Sequence, residues 1–111
     1  MRRSLFIGRW QPFHSGHRAL VDSVLAEGKQ VLIAIRDTPI SETDPYTVAE
    51  RMRMIRAFYP DEDQVALISI PDISEVVYGR QVGYGIREIR LDPSVEAISG
   101  TAIRKEARGN E

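Results

Sequence analysis

Cysteine is absent from this 111-residue chain. That excludes disulfides, thiolate metal ligands and thiol nucleophiles. Histidine is scarce: His14 and His17 are the only two. Lysine is equally rare, with Lys29 and Lys105 the only examples among 15 basic side chains. Arginine therefore carries nearly all the positive charge. Its planar fork suits phosphate better than a point charge does, although genome composition can produce the same bias. There is no excess of either sign, since 16 acidic residues leave a net charge of -1. No global basic field points to nucleic acid or to a membrane surface. Long apolar runs are missing too. Behind the basic Met1-Arg2-Arg3 the apolar stretch stops at Gly8, too short for a signal peptide or a membrane span. A soluble, cytoplasmic protein is expected, folded as a single domain over residues 1–111.

The sequence alternates in type. Ser4 to Gly8 reads as a buried strand ending at glycine. Gly16 to Ala26 reads as a helix, with Ala19, Leu20, Val21, Val24 and Leu25 on one stripe and Gly28 as its stop. Gln30 to Ile35 is a second apolar, β-branched strand, followed by a polar loop from Arg36 to Tyr46. Thr47-Val48-Ala49-Glu50 has the form of a capping box. It opens a helix to about Phe58, with Met52, Ile55 and either Phe58 or Tyr59 facing inward. Gln64 to Ile70 is a third strand closed by Pro71. Strand, helix, strand, helix, strand predicts parallel βαβ units covered on both faces. Ser74 to Tyr84, broken by Gly79 and Gly83, reads as loop. Ile86 to Leu91 could add a strand, and Ser99 to Arg108 a final helix.

The chemistry concentrates between the first strand and the first helix, in Gly8-Arg9-Trp10-Gln11-Pro12-Phe13-His14-Ser15-Gly16-His17. In an open α/β sheet, ligands bind beyond the carboxyl ends of the strands. The following helix offers free amides and a positive dipole end, which suit phosphate. His14 and His17, three residues apart, can donate to phosphate oxygens whose charge grows during transfer. Gly16 permits close backbone approach, and Arg9 adds a forked cation. A His-X-X-His pair can also be a surface pair or part of a metal site, but no third histidine exists to complete a zinc site. Trp10 and Phe13 can equally be core.

Residues 8–17 resemble the His-X-Gly-His signature of the nucleotidylyltransferase superfamily. The fuller Gly-Arg-Trp-Gln-Pro-Phe-His is similar to archaeal-type nicotinamide mononucleotide (NMN) adenylyltransferases, which usually carry Phe at the place of Trp10. Two later segments resemble the same family in the same order. Asp44-Pro45-Tyr46-Thr47-Val48-Ala49-Glu50-Arg51 resembles the opening of the second helix, and the resemblance implies that Arg51 points at phosphate. Ile98-Ser99-Gly100-Thr101-Ala102-Ile103-Arg104 resembles the late Ser-(Ser/Gly)-Thr-X-X-Arg motif. There Ser99, Gly100, Thr101 and Arg104 would hold the β- and γ-phosphates. Taken alone, Ser99 or Thr101 can be an ordinary N-cap and Arg51 a solvated helix arginine.

The resemblance implies a Rossmann-like nucleotidylyltransferase fold with a parallel sheet of about five strands. His14, His17 and Arg104 would be catalytic. Gly8, Arg9, Trp10, Phe13, Gly16, Arg51, Ser99, Gly100 and Thr101 would bind the nucleotide. Mg²⁺ would bridge the triphosphate oxygens with few or no protein ligands. ATP is favoured over CTP, because short cytidylyltransferases usually begin their first motif Gly-Thr-Phe-Asp. A non-catalytic nucleotide sensor is the alternative of another class, and a homodimer is left open.

The acceptor side departs from the family. Pro71-Asp72-Ile73 matches, but the Asn and Trp that contact NMN are absent, as are a further strand and helix. Asp72, Tyr78, Arg80 and Tyr84 are the candidates for a small phosphorylated acceptor: two rings to stack and a guanidinium for phosphate. A glycine-rich turn with packing tyrosines would look the same. NMN is accordingly expected to be a poor acceptor.

Overall fold

The computed structural model describes residues 2–80 and 83–90. The elements are β1 (Arg3–Gly8), α1 (Ser15–Leu25), β2 (Gln30–Asp37), α2 (Val48–Phe58) and β3 (Val65–Pro71). Among the described residues the strands form one three-stranded sheet in the order β1-β2-β3. Both pairings are parallel.

Local chemistry explains the element ends. α1 runs out at Leu25, and Gly28 takes a φ of +79° just beyond it, a conformation that glycine adopts without a Cβ penalty. At the start of α2, the Thr47 side chain accepts from the Glu50 amide while the Glu50 carboxylate accepts from the Thr47 amide, both at 3.1 Å. Pro71 belongs to β3 instead of closing it. Among the described residues β3 is an edge strand, where a missing N–H costs nothing.

The central strand carries the core. Val31, Ile33, Ala34 and Ile35 of β2 are all buried, as expected for a parallel strand read as a continuous apolar run. Phe6, Ile33 and Leu67 stand opposite one another across the sheet. Against this row pack Val21 and Val24 of α1 and Ile55 of α2. Tyr59, immediately after α2, is the inward aromatic. Phe58 is 44% exposed and lies under the Arg18 guanidinium, 4.4 Å from the ring centre. The Tyr59 hydroxyl donates to Asp22 at 2.6 Å and so ties the end of α2 to α1.

One expectation needs correction, and another is met in part. Among the described residues the helices lie on one face of the sheet. Both crossovers step in the same direction along the sheet, so right-handed connections place α1 and α2 on one side. The opposite row of Leu5, Ile7 and Ile68 remains 55%, 36% and 42% exposed. In addition, residues 86–90 form no strand. They are held otherwise: Arg87 forks onto Glu27 at 2.8 and 3.0 Å, and Ile89 packs on the core. Residue 91 and the expected helix from Ser99 to Arg108 lie outside the described residues.

Candidate active site

The loop from Gly8 to His14 leaves the carboxyl end of β1 and turns sharply into α1. Trp10 holds a φ of +55°, a left-handed conformation that costs a non-glycine residue on the order of 1 kcal/mol or more. Surrounding contacts enforce it. The indole Nε1 donates to the Ala34 carbonyl at 3.0 Å, and the ring meets Phe13 and His17 edge-on, with centroids 5.8 and 4.7 Å apart. Trp10 and Phe13 are both buried. Their rings both contact the His17 imidazole and hold it in place.

His14 and His17 both start the helix. His14 is the N-cap, and its Nδ1 accepts from the Gly16 amide at 3.1 Å. His17 occupies the third helical position, and its Nδ1 accepts from the His14 amide at 3.2 Å. This is a capping box made of two imidazoles in place of the usual hydroxyl and carboxylate. Since both Nδ1 atoms accept, the neutral tautomer carries its proton on Nε2 in each ring. Neither Nε2 has a hydrogen-bond partner among the described residues. The rings stack with centroids 3.7 Å apart. The arrangement offers two N–H donors at a helix N-terminus, where an anion is already favoured.

Burial lowers the pKa of His14, and burial together with the neighbouring His14 lowers that of His17 to about 4. Both rings are therefore neutral donors at physiological pH. The shift also links pH to stability. In the unfolded chain His17 takes a proton near its ordinary value of ~6.5, before the folded chain can. Its contribution is complete above that value and is lost as pH falls towards 4. Melting temperature should thus decline between pH 6.5 and 5, where carboxylates titrate little. His17→Asn, which keeps a capping acceptor, should flatten that decline. Parallel curves for both proteins would show that His17 is not the titrating group.

Arg9 lies in the loop that leads into α1, with its guanidinium on Asp44 at 3.1 Å and 45% of its side chain exposed. Such an exposed pair contributes ~0–1 kcal/mol, so the guanidinium can exchange Asp44 for a phosphate. Gly8 is needed because the Trp10 indole lies over it: a Cβ there would stand 2.9 Å from two ring carbons.

The second motif arrives at the same end of the sheet. Gln11, buried and given no role by the sequence reading, grips Tyr46 at both backbone groups, accepting from its amide at 2.9 Å and donating to its carbonyl at 3.0 Å. It thereby joins the first loop to the segment entering α2. The sequence motif contains this glutamine but does not show its role, because the Tyr46 backbone and the Thr38 hydroxyl that it bonds lie 35 and 27 residues away.

Arg51, which the resemblance expects to face phosphate, is enclosed by backbone carbonyls. It is fully buried and donates to the carbonyls of Arg9 and Arg36, each at 2.7 Å, and of Thr47 at 3.1 Å. Its Nη2 is buried with no partner among the described residues. An arginine in the first turn of a helix reads alike in sequence whether it faces a ligand or closes over carbonyls.

Of the acceptor candidates, Asp72 is held at the sheet end by Arg36, whose Nε and Nη2 lie 3.1 and 2.7 Å from its Oδ1. Tyr78, Arg80 and Tyr84 are exposed, in stretches without helix or strand. The structure does not bring them together into a pocket. Ser99, Gly100, Thr101 and Arg104 lie outside the described residues.

No group of three or more His, Asp or Glu side chains that could hold a metal occurs among the described residues. The donors at the helix start are cationic or neutral N–H groups, suited to phosphate oxygen and not to a cation. No described helix is long and apolar enough to cross a membrane.

Comparison with known proteins agrees with this geometry. The model of the cytidylyltransferase-like family matches residues 5–74. A nicotinamide-nucleotide adenylyltransferase of Methanothrix thermoacetophila is 36% identical over 140 aligned positions, covering 95% of this chain and 78% of the relative. A second, from Methanocorpusculum labreanum, is 44% identical over 57 residues, half of this chain but only 34% of the relative's length. The chain also resembles a Francisella tularensis crystal structure, described as a bifunctional NMN adenylyltransferase/ADP ribose pyrophosphatase complexed with AMP and Mn ion. That match has a TM-score of 0.56 and 34% identity over 65% of this chain and 23% of that one. Its sheet, its paired helix-start histidines and these relatives agree: the chain belongs to the cytidylyltransferase-like family of nucleotidylyltransferases.

Proposed function

We propose that this chain transfers AMP from ATP to a small phosphorylated acceptor and releases pyrophosphate. The observation that carries the reading is the pair of inward-capped imidazoles. Their Nε2 donors sit at the start of α1, beyond the end of β1, and Arg9 lies in the loop between the two. An acceptor phosphate oxygen attacks the α-phosphorus in line, one P–O bond forms, and the bond to pyrophosphate breaks. His14 and His17 donate to the oxygens that gain charge, and Arg9 neutralises the triphosphate. No covalent intermediate is required. A divalent ion, Mg²⁺ being the natural choice, would be carried on the triphosphate and supply charge neutralisation there.

The names of the archaeal relatives and of the Francisella structure favour NMN as acceptor. Two observations oppose it. The Methanothrix match spans 140 positions but uses about 105 residues of this chain, so about 35 residues within the matched span have no counterpart here. The segment after β3 is also exposed and rewritten. The deciding experiment measures pyrophosphate release from ATP, CTP, GTP and UTP, each with NMN, pantetheine phosphate, a sugar phosphate and a polyol phosphate. ATP should be preferred, and NMN should stay below a kcat/KM of ~10⁴ M⁻¹s⁻¹, the low end of the usual enzyme range. A higher value would make NMN the acceptor. Preference for CTP would favour the cytidylyltransferase reading, and binding without turnover the sensor.

Arg104 gives a separate test of the triphosphate grip. Arg104→Lys should raise the KM for ATP by about tenfold or more, because a point charge cannot reproduce the fork. AMP binding should change much less. Equal losses for both ligands would place Arg104 away from the β- and γ-phosphates.

A further inference from the structure

We propose that Arg36 binds the phosphate of the acceptor, and that Asp72 holds its guanidinium until that phosphate arrives. The inference rests on the transfer reaction proposed above and names the group that reads the acceptor's charge. An acceptor phosphate has to approach a triphosphate of like charge. It needs a cation of its own, at the same end of the sheet and apart from those on the triphosphate. Arg36 is the next-to-last residue of β2, at the carboxyl end, where open α/β sheets take their ligands. Its carbonyl and that of Arg9 both accept from Nη1 of Arg51, each at 2.7 Å. The two arginines therefore leave neighbouring strand ends. Ile35 is buried in the core that the helices cover, and the alternation of a strand turns the Arg36 side chain to the other face. Arg36 thus lies to the side of the seat at the start of α1 and not in it.

Asp72 does not hold this guanidinium as firmly as a carboxylate can. Nε and Nη2 both go to the one oxygen Oδ1, at 3.1 and 2.7 Å, and Nη2 also reaches the Ile73 carbonyl at 3.0 Å. A matched fork would use both carboxylate oxygens. Nη1 of Arg36 and Oδ2 of Asp72 have no partner among the described residues. The pair is open to solvent, with 28% and 44% of the two side chains exposed. An exposed pair of this kind adds little to stability. A phosphate dianion, with three oxygens for the fork, is the stronger partner. Asp72 keeps the guanidinium at the strand end and gives it up to the acceptor.

Turnover gives one test. With whichever of NMN, pantetheine phosphate, the sugar phosphate and the polyol phosphate is used best, Arg36→Gln should raise the acceptor's KM by about tenfold or more and leave the KM for ATP within about twofold. Arg36→Lys, a cation without the fork, should recover part of the loss. An unchanged acceptor KM, or equal rises for acceptor and ATP, would overturn the inference.

The second test needs no turnover and uses inorganic phosphate as the probe. Wild-type protein is first saturated with a non-hydrolysable ATP analogue and Mg²⁺, and the arginine side chains are followed by nitrogen-15 NMR. Added phosphate should move the Arg36 Nε–H signal with a Kd of about 10 mM or tighter. Asp72→Asn should tighten this phosphate by about threefold or more, because the competing carboxylate is gone. A pair that only fastens the segment after β3 predicts neither result. An Arg36 signal that stays still up to about 50 mM phosphate, or phosphate bound no better by Asp72→Asn, would overturn the inference. The wild-type titration decides it even if a variant fails to fold. An ATP analogue that does not bind would sink the proposed function, while phosphate added to the free protein would still decide whether Arg36 is a phosphate ligand.

Discussion

His17→Ala should lower kcat by about 10²–10³-fold while leaving the sheet folded, the usual loss when one fixed donor to a developing oxyanion is removed. His17 does two separable things. Its Nδ1 accepts the His14 amide at the helix start, and in the proposed reaction its Nε2 carries the proton offered to phosphate. Alanine removes both, and the lost cap costs about 1 kcal/mol. That is far too little to unfold a domain whose core rests on β2. Two further variants divide the roles. In His17→Asn the amide oxygen can take over the cap, so stability should return without activity. In His17→Gln the longer amide places its N–H near the position of Nε2, so part of the activity should return. Steady-state pyrophosphate release and melting temperature, read side by side, report the two roles. A kcat for His17→Ala within threefold of wild type would remove His17 from the chemistry.

A single methyl group at Gly8 should be nearly as damaging. The Cβ of Gly8→Ala would meet Cε2 and Cζ2 of Trp10 at 2.9 Å and Cδ2 at 3.1 Å. The indole has no room to retreat. Its N–H is bonded to Ala34, and Phe13 and His17 flank it. Either the end of β1 moves or the ring does, and such overpacking costs about 1–3 kcal/mol. For a domain of this size that corresponds to a fall in melting temperature of roughly 4–20 °C. Turnover should fall as well, because the displaced ring bears directly on His17. A Gly8→Ala protein that melts within a degree or two of wild type would mean that the indole does not close over Gly8 in solution.

What could be read from the sequence was what short-range chemistry determines. The strands show as apolar runs, the Thr47–Glu50 box as a spacing of three, and the end of α1 as a glycine. The His14–His17 pair was visible too, and its spacing of three is that of a capping box. That each ring would cap the helix with one nitrogen and leave the other free was not read from that spacing and comes from the structure. What escaped depends on partners distant in sequence. The grip of Gln11 on Tyr46 and the bonds of Arg51 to the carbonyls of Arg9 and Arg36 are invisible until β1 and β2 lie side by side. The left-handed turn at Trp10 escaped for the same reason, since nothing local favours it and an acceptor on Ala34 enforces it. The one-sided placement of α1 and α2 follows from strand order, which periodicity alone does not give. The acceptor side was the least legible, because Tyr78, Arg80 and Tyr84 lack the regular spacing that would have tied them to one face.

The imidazole cap also makes the histidine pair chemically one-sided. A reagent that acylates imidazole meets Nδ1 already committed to a backbone amide in both rings, so only Nε2 is open to it. Acylation there keeps the tautomer that the cap requires and removes the donor that phosphate requires. The labelled protein would keep its helix and lose its anion contact, and a bound triphosphate would shield the same two atoms from the label. The ring nitrogens that fold the chain and those proposed to act on phosphate can therefore be told apart by covalent footprinting, without changing a residue.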